Sequence, residues 1–132
     1  MHIRVKVGYM ELIQILKSLN DETRLRVLNL LMKSELCAGE IGYLLNSNQS
    51  NTSRHLSALK KATLITSKKK AQWTFYSINK DILDTHGFIR ILLESELPQL
   101  DLYVKDIEIF QKYKVSGQSC INLKNCNSSN CK

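Results

Sequence analysis

The sequence predicts a mainly α fold with one small β-hairpin, built around a helix-turn-helix. Three observations carry this. Apolar residues recur at helical spacing over most of the chain, two short amphipathic segments flank Asn46-Ser47-Asn48, and residues 73–78 alternate with the two-residue period of a strand.

Leu12, Ile15, Leu16 and Leu19 predict an amphipathic first helix over residues 9–19. Asn20 is the expected N-cap of the second, with Asp21 and Glu22 in its first turn, where carboxylates meet the positive end of the helix dipole. Leu25, Leu28 and Leu31 give that helix a buried stripe ending near Lys33. A third, short helix carries Ile41, Leu44 and Leu45 on one face, and Asn46-Ser47-Asn48 breaks it with turn-forming side chains. Gln49 opens the fourth helix, where Thr52, Leu56 and Leu59 face inward. Helix, three-residue turn, helix is the spacing of a helix-turn-helix.

Residues 64–67 and 73–78 read as the two strands, the second rich in β-formers. Lys68-Lys69-Lys70-Ala71-Gln72 joins them without the Asn-Gly or Gly of a tight hairpin, so a longer, mobile tip is expected. Ile82, His86, Ile89, Leu93 and Leu97 then share one face of a helix, and Pro98 opens another striped by Leu100, Tyr103, Val104, Ile107 and Phe110. These outer helices are more apolar than a small domain can bury alone, so a helical homodimer is expected, formed through the first and later helices. From Ser116 onward Ser, Asn, Lys and Cys follow without periodicity. Residues 1–115 therefore read as one domain and 116–132 as a flexible, cysteine-containing tail.

Charge is unevenly spread. Between Ile41 and Lys80 stand seven basic residues and no acidic one, while the rest of the chain holds twelve of each sign, so the whole net charge of +7 lies in this segment. That is the footprint of a surface that meets a polyanion. No apolar run reaches the roughly 18 residues of a membrane span. The N-terminus lacks a signal peptide's apolar core, so a cytoplasmic chain with reduced thiols and no membrane partner is expected. An enzyme is not expected: no Gly-rich phosphate loop, HExxH, nucleophile elbow or paired-carboxylate motif is present.

Several stretches resemble the ArsR/SmtB family of bacterial repressors. Asn20-Asp21-Glu22-Thr23-Arg24-Leu25-Arg26-Val27-Leu28 is similar to their second-helix signature, and Glu35-Leu36-Cys37 to the opening of their third helix. Gln49-Ser50-Asn51-Thr52-Ser53-Arg54-His55-Leu56 with Leu59 resembles their recognition helix, and Trp73-Thr74-Phe75-Tyr76 their wing strand. The resemblance spans roughly residues 12–78. It implies a homodimeric winged helix-turn-helix repressor that binds a palindromic, double-stranded operator and releases it when a metal or metalloid binds. Thr63 stands where the family often has glycine after the recognition helix, so a different turn into the wing is expected.

A recognition helix lies in the major groove and offers its first turns to base edges and phosphates. Gln49, Ser50, Ser53 and Arg54 fall there, Gln49 suited to adenine and Arg54 to guanine. His55 is expected to donate to a phosphate, Lys60 and Lys61 to touch the backbone, and the tip from Lys68, Lys69 and Lys70 to Gln72 to reach the neighbouring groove. Trp73, Phe75 and Tyr76 are expected to pack the wing onto the body rather than to stack on bases.

Cys120, Cys126 and Cys131 form a C-x5-C-x4-C pattern in the tail, and Cys37 opens the third helix. Thiolates favour thiophilic ions. The resemblance implies three cysteines binding trivalent arsenic or antimony, commonly from a C-x-C pair at the third helix. Here Cys37 matches the first position but Gly39 holds the second, which shifts the expected ligands to the tail thiols, with Cys37 as a further candidate. Cys37 plus the tail would give the four ligands of a zinc or cadmium site, two tail thiols could instead form a redox disulfide, and Cys37 could be a small apolar residue. Asp84-Thr85-His86 matches the first half of the family's other metal site, yet Leu97 and Leu100 occupy the second half, so His86 reads as a core or dimer-interface residue. The expected function is thus an arsenic- or antimony-responsive repressor. A zinc, cadmium or thiol-redox sensor on the same scaffold is the nearest alternative, and a metal-sequestering protein without operator binding is the alternative from another class.

Overall fold

The computed structural model describes residues 5–120. Helix α1 (Val5–Leu19) leads to α2 (Glu22–Leu31), the short strand β1 (Leu36–Cys37), α3 (Ala38–Leu45) and α4 (Gln49–Lys61). Strands β2 (Ile65–Lys70) and β3 (Trp73–Ile78) follow, then α5 (Lys80–Thr85), α6 (Gly87–Ile91), a π turn, a 3-10 turn and α7 (Asp101–Val115). Among the described residues no helix is long and apolar enough to cross a membrane.

Helix α2 is capped by Asp21 rather than Asn20. Asp21 has extended backbone and its Oδ1 accepts the Arg24 N–H at 3.1 Å, whereas the Asn20 N–H closes α1 by donating to the Lys17 carbonyl. The three-residue turn stands as expected. Asn46 takes the left-handed conformation at φ 55°, Ser47 N–H returns to the Gly42 carbonyl at 2.8 Å, and Asn48 caps α4 by accepting from Asn51 N–H at 2.8 Å. Gly42 is required here, since a Cβ would lie 3.0 Å from the Ser47 carbonyl and 3.2 Å from Thr52 Oγ1. This closeness fixes the angle between α3 and α4.

The hairpin departs from the expectation. The first strand runs on to Lys70, and register Lys70↔Trp73 leaves a tight two-residue turn, Ala71-Gln72, in which Ala71 adopts φ 59° in place of a glycine. Strand β1 adds an unforeseen third strand, antiparallel to β3 with Leu36 opposite Tyr76 and Cys37 opposite Phe75, in the order β1-β3-β2. Thr63 takes φ 66°, with Leu64 N–H returning to the Leu59 carbonyl at 3.0 Å, so the left-handed cap survives the loss of glycine.

The core draws on every layer, with Ile15, Val27, Leu28, Leu36, Ile41, Leu56, Leu59, Ile65 and Ile89 almost wholly enclosed. The helix expected across residues 82–97 is broken at His86, whose backbone (φ −122°, ψ 87°) ends α5 before Gly87 starts α6. Its stripe still packs inward through Ile82, Ile89, Leu93 and Leu97. Arg26 clasps Asp106 in a two-pronged ion pair at 2.7 and 2.8 Å, tying α2 to α7, and Asn29 Nδ2 donates to the Tyr103 carbonyl at 3.1 Å. Met10, Leu16, Ile91, Val104 and Ile109 stay exposed on α1, α6 and α7, as does Leu100 just before α7.

Candidate nucleic-acid interface and thiol site

Because Thr52, Leu56 and Leu59 anchor α4 in the core, its opposite face projects Gln49, Ser50, Ser53 and Arg54 into solvent. Arg54 is steadied by a hydrogen bond from Nη2 to Asn51 Oδ1. Lys60 and Lys61 extend this exposed face at the end of α4, and Lys60 Nζ donates to Ser67 Oγ at 2.6 Å, linking α4 to the hairpin. Lys68, Lys69 and Gln72 are exposed along the wing. Lys70 is exposed too, but it is paired with Glu35 and lies 5.3 Å from the Phe75 ring centroid. That pairing holds the Glu35 carboxyl below its ordinary range. Of the wing aromatics, Tyr76 packs against the core as expected, while Trp73 and Phe75 are half-buried and line a surface cleft.

His55 does not join this face. It is only 3% exposed, its Nδ1 accepts from Arg24 Nε at 3.2 Å, and Asp21 Oδ1 lies 3.9 Å away. Burial pushes its imidazole below the usual value, and Arg54 and Arg24 lower it further against the opposing pull of Asp21. A neutral, enclosed imidazole is a brace between α2 and α4, not a phosphate donor. The expectation placed it outside because Arg54 precedes it; its spacing, three residues after Thr52 and four before Leu59, puts it on the inner stripe.

The thiols come together in an unexpected pair. Cys37, at the junction of β1 and α3, is 6% exposed; Cys120, which follows α7, is 5% exposed; and the two are joined as a disulfide with Cα atoms 6.5 Å apart. Cys120 is thus folded back onto α3 rather than free in a tail, and Cys126 and Cys131 lie outside the described residues. Glu40, unforeseen as a site residue, completes a cluster in which donor atoms of Cys37, Glu40 and Cys120 all lie within 4.8 Å. It is 3% exposed and accepts from the Cys37 backbone N–H at 3.0 Å and from the Tyr113 hydroxyl, with Cys120 Sγ at 3.8 Å. Burial first, and then the Glu40 carboxylate, push the Tyr113 hydroxyl far above its ordinary value, so it stays a donor. The sequence signal for Glu40 was available: Glu three residues into a helix start reads as the returning half of a capping box.

His86 sits half-buried between α1 and α6, with Nε2 3.8 Å from Glu11 and its ring 6.2 Å from that of Phe88. The cluster formed by Cys37, Glu40 and Cys120 does not include it.

Comparison with known proteins places these features in context. Residues 21–67 match the family described as "Bacterial regulatory protein, arsR family". The chain is 35% identical over 69 residues to the transcriptional repressor SdpR of Bacillus subtilis, covering 52% of this chain and 77% of that protein. It is 37% identical over 78 residues to an arsenical resistance operon repressor of Staphylococcus aureus, covering 59% of this chain and 75% of that one. Among solved structures, the homodimeric winged helix-turn-helix domain of Mb0332 from Mycobacterium bovis superposes with a TM-score of 0.60 at 20% identity, covering 76% of this chain and 94% of that domain. That last likeness establishes the winged helix-turn-helix fold.

Proposed function

This chain belongs to the arsR family of bacterial regulatory proteins, and from that premise we propose that it is a cytoplasmic, homodimeric transcriptional repressor that leaves its operator when trivalent arsenic or antimony binds cysteine thiolates. In this reading α4 of each protomer enters the major groove, with Gln49, Ser50, Ser53 and Arg54 toward bases and phosphates and Lys60, Lys61, Lys68, Lys69 and Gln72 along the backbone. The exposed apolar side chains of α1, α6 and α7 supply the dimer contact. The inducer site comprises Cys37 and Cys120, with Cys126 and Cys131 as additional thiols.

One observation carries the reading: the converged thiols lie at the joint between the DNA-reading helices and the wing. Cys37 caps the start of α3 and stands opposite Phe75 of the wing strand in the β1–β3 register. A ligand there acts on both parts of the DNA surface at once. Binding is reciprocal, so operator must weaken inducer binding by the same factor by which inducer weakens operator binding.

A second reading has its own support. Because Cys37 and Cys120 are already paired, oxidation to that disulfide would serve as the signal. The deciding experiment is operator release measured with trivalent arsenic, zinc, cadmium and peroxide, on the reduced wild type and on Cys37→Ser and Cys120→Ser variants. Release of wild type by arsenite under reducing conditions, lost in either variant, supports the inducer reading; release by peroxide alone supports the second. Operator affinity should fall with a log-log salt slope of about 0.9 per phosphate contacted. A chain that takes up metal without operator binding refutes both.

A further inference from the structure

We infer that His55 is a positioning residue for Arg54: by giving its one lone pair to Arg24, the buried imidazole refuses the Arg54 guanidinium and leaves it free for a base edge. This rests on the operator-binding reading above and deepens it, since it says what keeps the base-reading arginine available. The first support is the ring's own capacity. A neutral imidazole carries one N–H and one lone pair, so it accepts a single hydrogen bond. Two guanidiniums compete for that lone pair. Arg24 Nε stands 3.2 Å from Nδ1, and Arg54 Nη2 stands 3.5 Å from Nε2.

The second support is enclosure. His55 is 3% exposed, so protein groups decide which of its nitrogens accepts. Among the described residues, the charged groups facing the ring are Asp21 and Arg24 at the start of α2 and Arg54 on α4. Burial, with Arg54 and Arg24 adding to it against the opposing pull of Asp21, holds the imidazole below its ordinary value, so the ring is neutral at pH 7. Arg24 has the better claim. Its contact is the shorter, and its backbone N–H is fixed by Asp21 Oδ1 at 3.1 Å in the α2 cap. Once Nδ1 accepts from Arg24, Nε2 carries the hydrogen and meets Arg54 as donor against donor. Arg54 bonds instead to Asn51 Oδ1, three residues back along α4, and the rest of its five-donor fork stays open.

Without Arg24 the ring is free to take its other tautomer. Nδ1–H then turns toward Asp21 Oδ1, 3.9 Å away, and Nε2 accepts from Arg54. A guanidinium held in that way lies along its own helix, and its two-pronged reach to guanine O6 and N7 is lost. One side chain of α2 thus sets the choice at a base that it does not touch.

Ring-nitrogen chemical shifts of the full-length, nitrogen-15-labelled protein report the tautomer directly, with His55 told from His2 and His86 by its disappearance in His55→Gln. The wild type should show Nε2–H. An Nδ1–H ring would overturn the proposal, and this holds even if no variant folds. Base preference is read by sequencing what each protein retains from a pool of random-sequence duplex DNA. The wild type should favour guanine by about tenfold at one position of each half-site, a preference lost in Arg54→Ala. Arg24→Met should move the ring to Nδ1–H and cut that preference to about twofold or less, while Arg24→Lys, which keeps a charged donor, should retain it. A merely structural or charge role for Arg24 predicts uniform weakening on all sequences with the guanine preference intact. That result sinks this inference and leaves the repressor reading standing. A wild type that retains no preferred palindrome overturns the repressor reading, and this inference with it.

Discussion

Replacing Arg26 by methionine tests how the thiol site is held. Arg26 makes two charged hydrogen bonds to Asp106 at 2.7 and 2.8 Å, with side-chain exposure of 24% for Arg26 and 2% for Asp106. The carboxylate is therefore enclosed, and the guanidinium is its route to compensation. The carboxylate holds the Arg26 guanidinium above its ordinary value, chiefly through that hydrogen bonding, against the opposing effect of burial. Removing one partner of a buried pair costs about 3–5 kcal/mol because the other charge is left uncompensated. Water can enter from the half-open Arg26 side, so the lower end, about 3 kcal/mol, is expected. Set against a total stability of about 5–15 kcal/mol, that is a severe loss.

The assay is urea unfolding at one fixed protomer concentration, since a dimer's apparent stability depends on it. Arg26→Met should lower stability by about 3 kcal/mol, and Arg26→Met with Asp106→Leu should recover most of the loss by removing the stranded charge. The effect reaches function because α7 carries Tyr113 onto Glu40 and is followed by Cys120. Loosening α7 in the single variant should also speed alkylation of Cys120 in the reduced protein. A cost below about 1 kcal/mol, or a double variant no more stable than the single one, would refute the view that this pair fastens α7 to α2.

Three further outcomes are expected. Lys68→Ala and Lys69→Ala should each weaken operator binding across sequences and reduce the salt slope by about 0.9, whereas Ser53→Ala should change sequence preference more than slope, as read by binding at several salt concentrations. Thr63→Gly should raise the unfolding midpoint by the equivalent of about 1 kcal/mol, because a β-branched residue at φ 66° gives way to one that adopts it freely. His55, held below its ordinary value by burial, binds fewer protons in the native state than in the unfolded one. Its contribution is complete above the unfolded value of about 6.5 and is lost as pH falls through the folded value, so His55→Gln should flatten the acid limb of stability measured against pH.

What was legible in the sequence was whatever local spacing determines. The α3–turn–α4 unit follows from Leu44, Leu45 and Asn46-Ser47-Asn48 because caps and inward stripes are short-range. What failed was of two kinds. Some signals were present and outweighed: His55 has the spacing of a buried residue, and Gly87 after His86 marks the break between α5 and α6. Others were long-range. Nothing near Cys120 announces that it packs on Cys37, 83 positions earlier, because that meeting depends on α7 being laid across α2 by Arg26 and Asp106. Strand β1 is likewise too short at two residues to have a pattern, and exists only because β3 offers it an edge.

Under the proposed function, that short strand carries the effect of a ligand at Cys37 toward the DNA-reading face. The hairpin is a long β2–β3 ladder of six paired positions, and β1 pairs with its inner edge through two, Leu36↔Tyr76 and Cys37↔Phe75. One of those two is the thiol-bearing residue, and the same residue caps the start of α3, whose separation from α4 is fixed by Gly42 and Thr52. Wing and helix pair also meet through Lys60 and Ser67 and through the buried Ile65 and Ile78, so a shift at Cys37 should move them as packed bodies rather than deform either. Under the proposed function, binding at Cys37 favours one relative placement of Arg54 and Lys69, and an operator contacted by both selects another. On that proposal the antagonism needs no chain of contacts across the domain, since both binding events bear on residues beside the β1–β3 pairing.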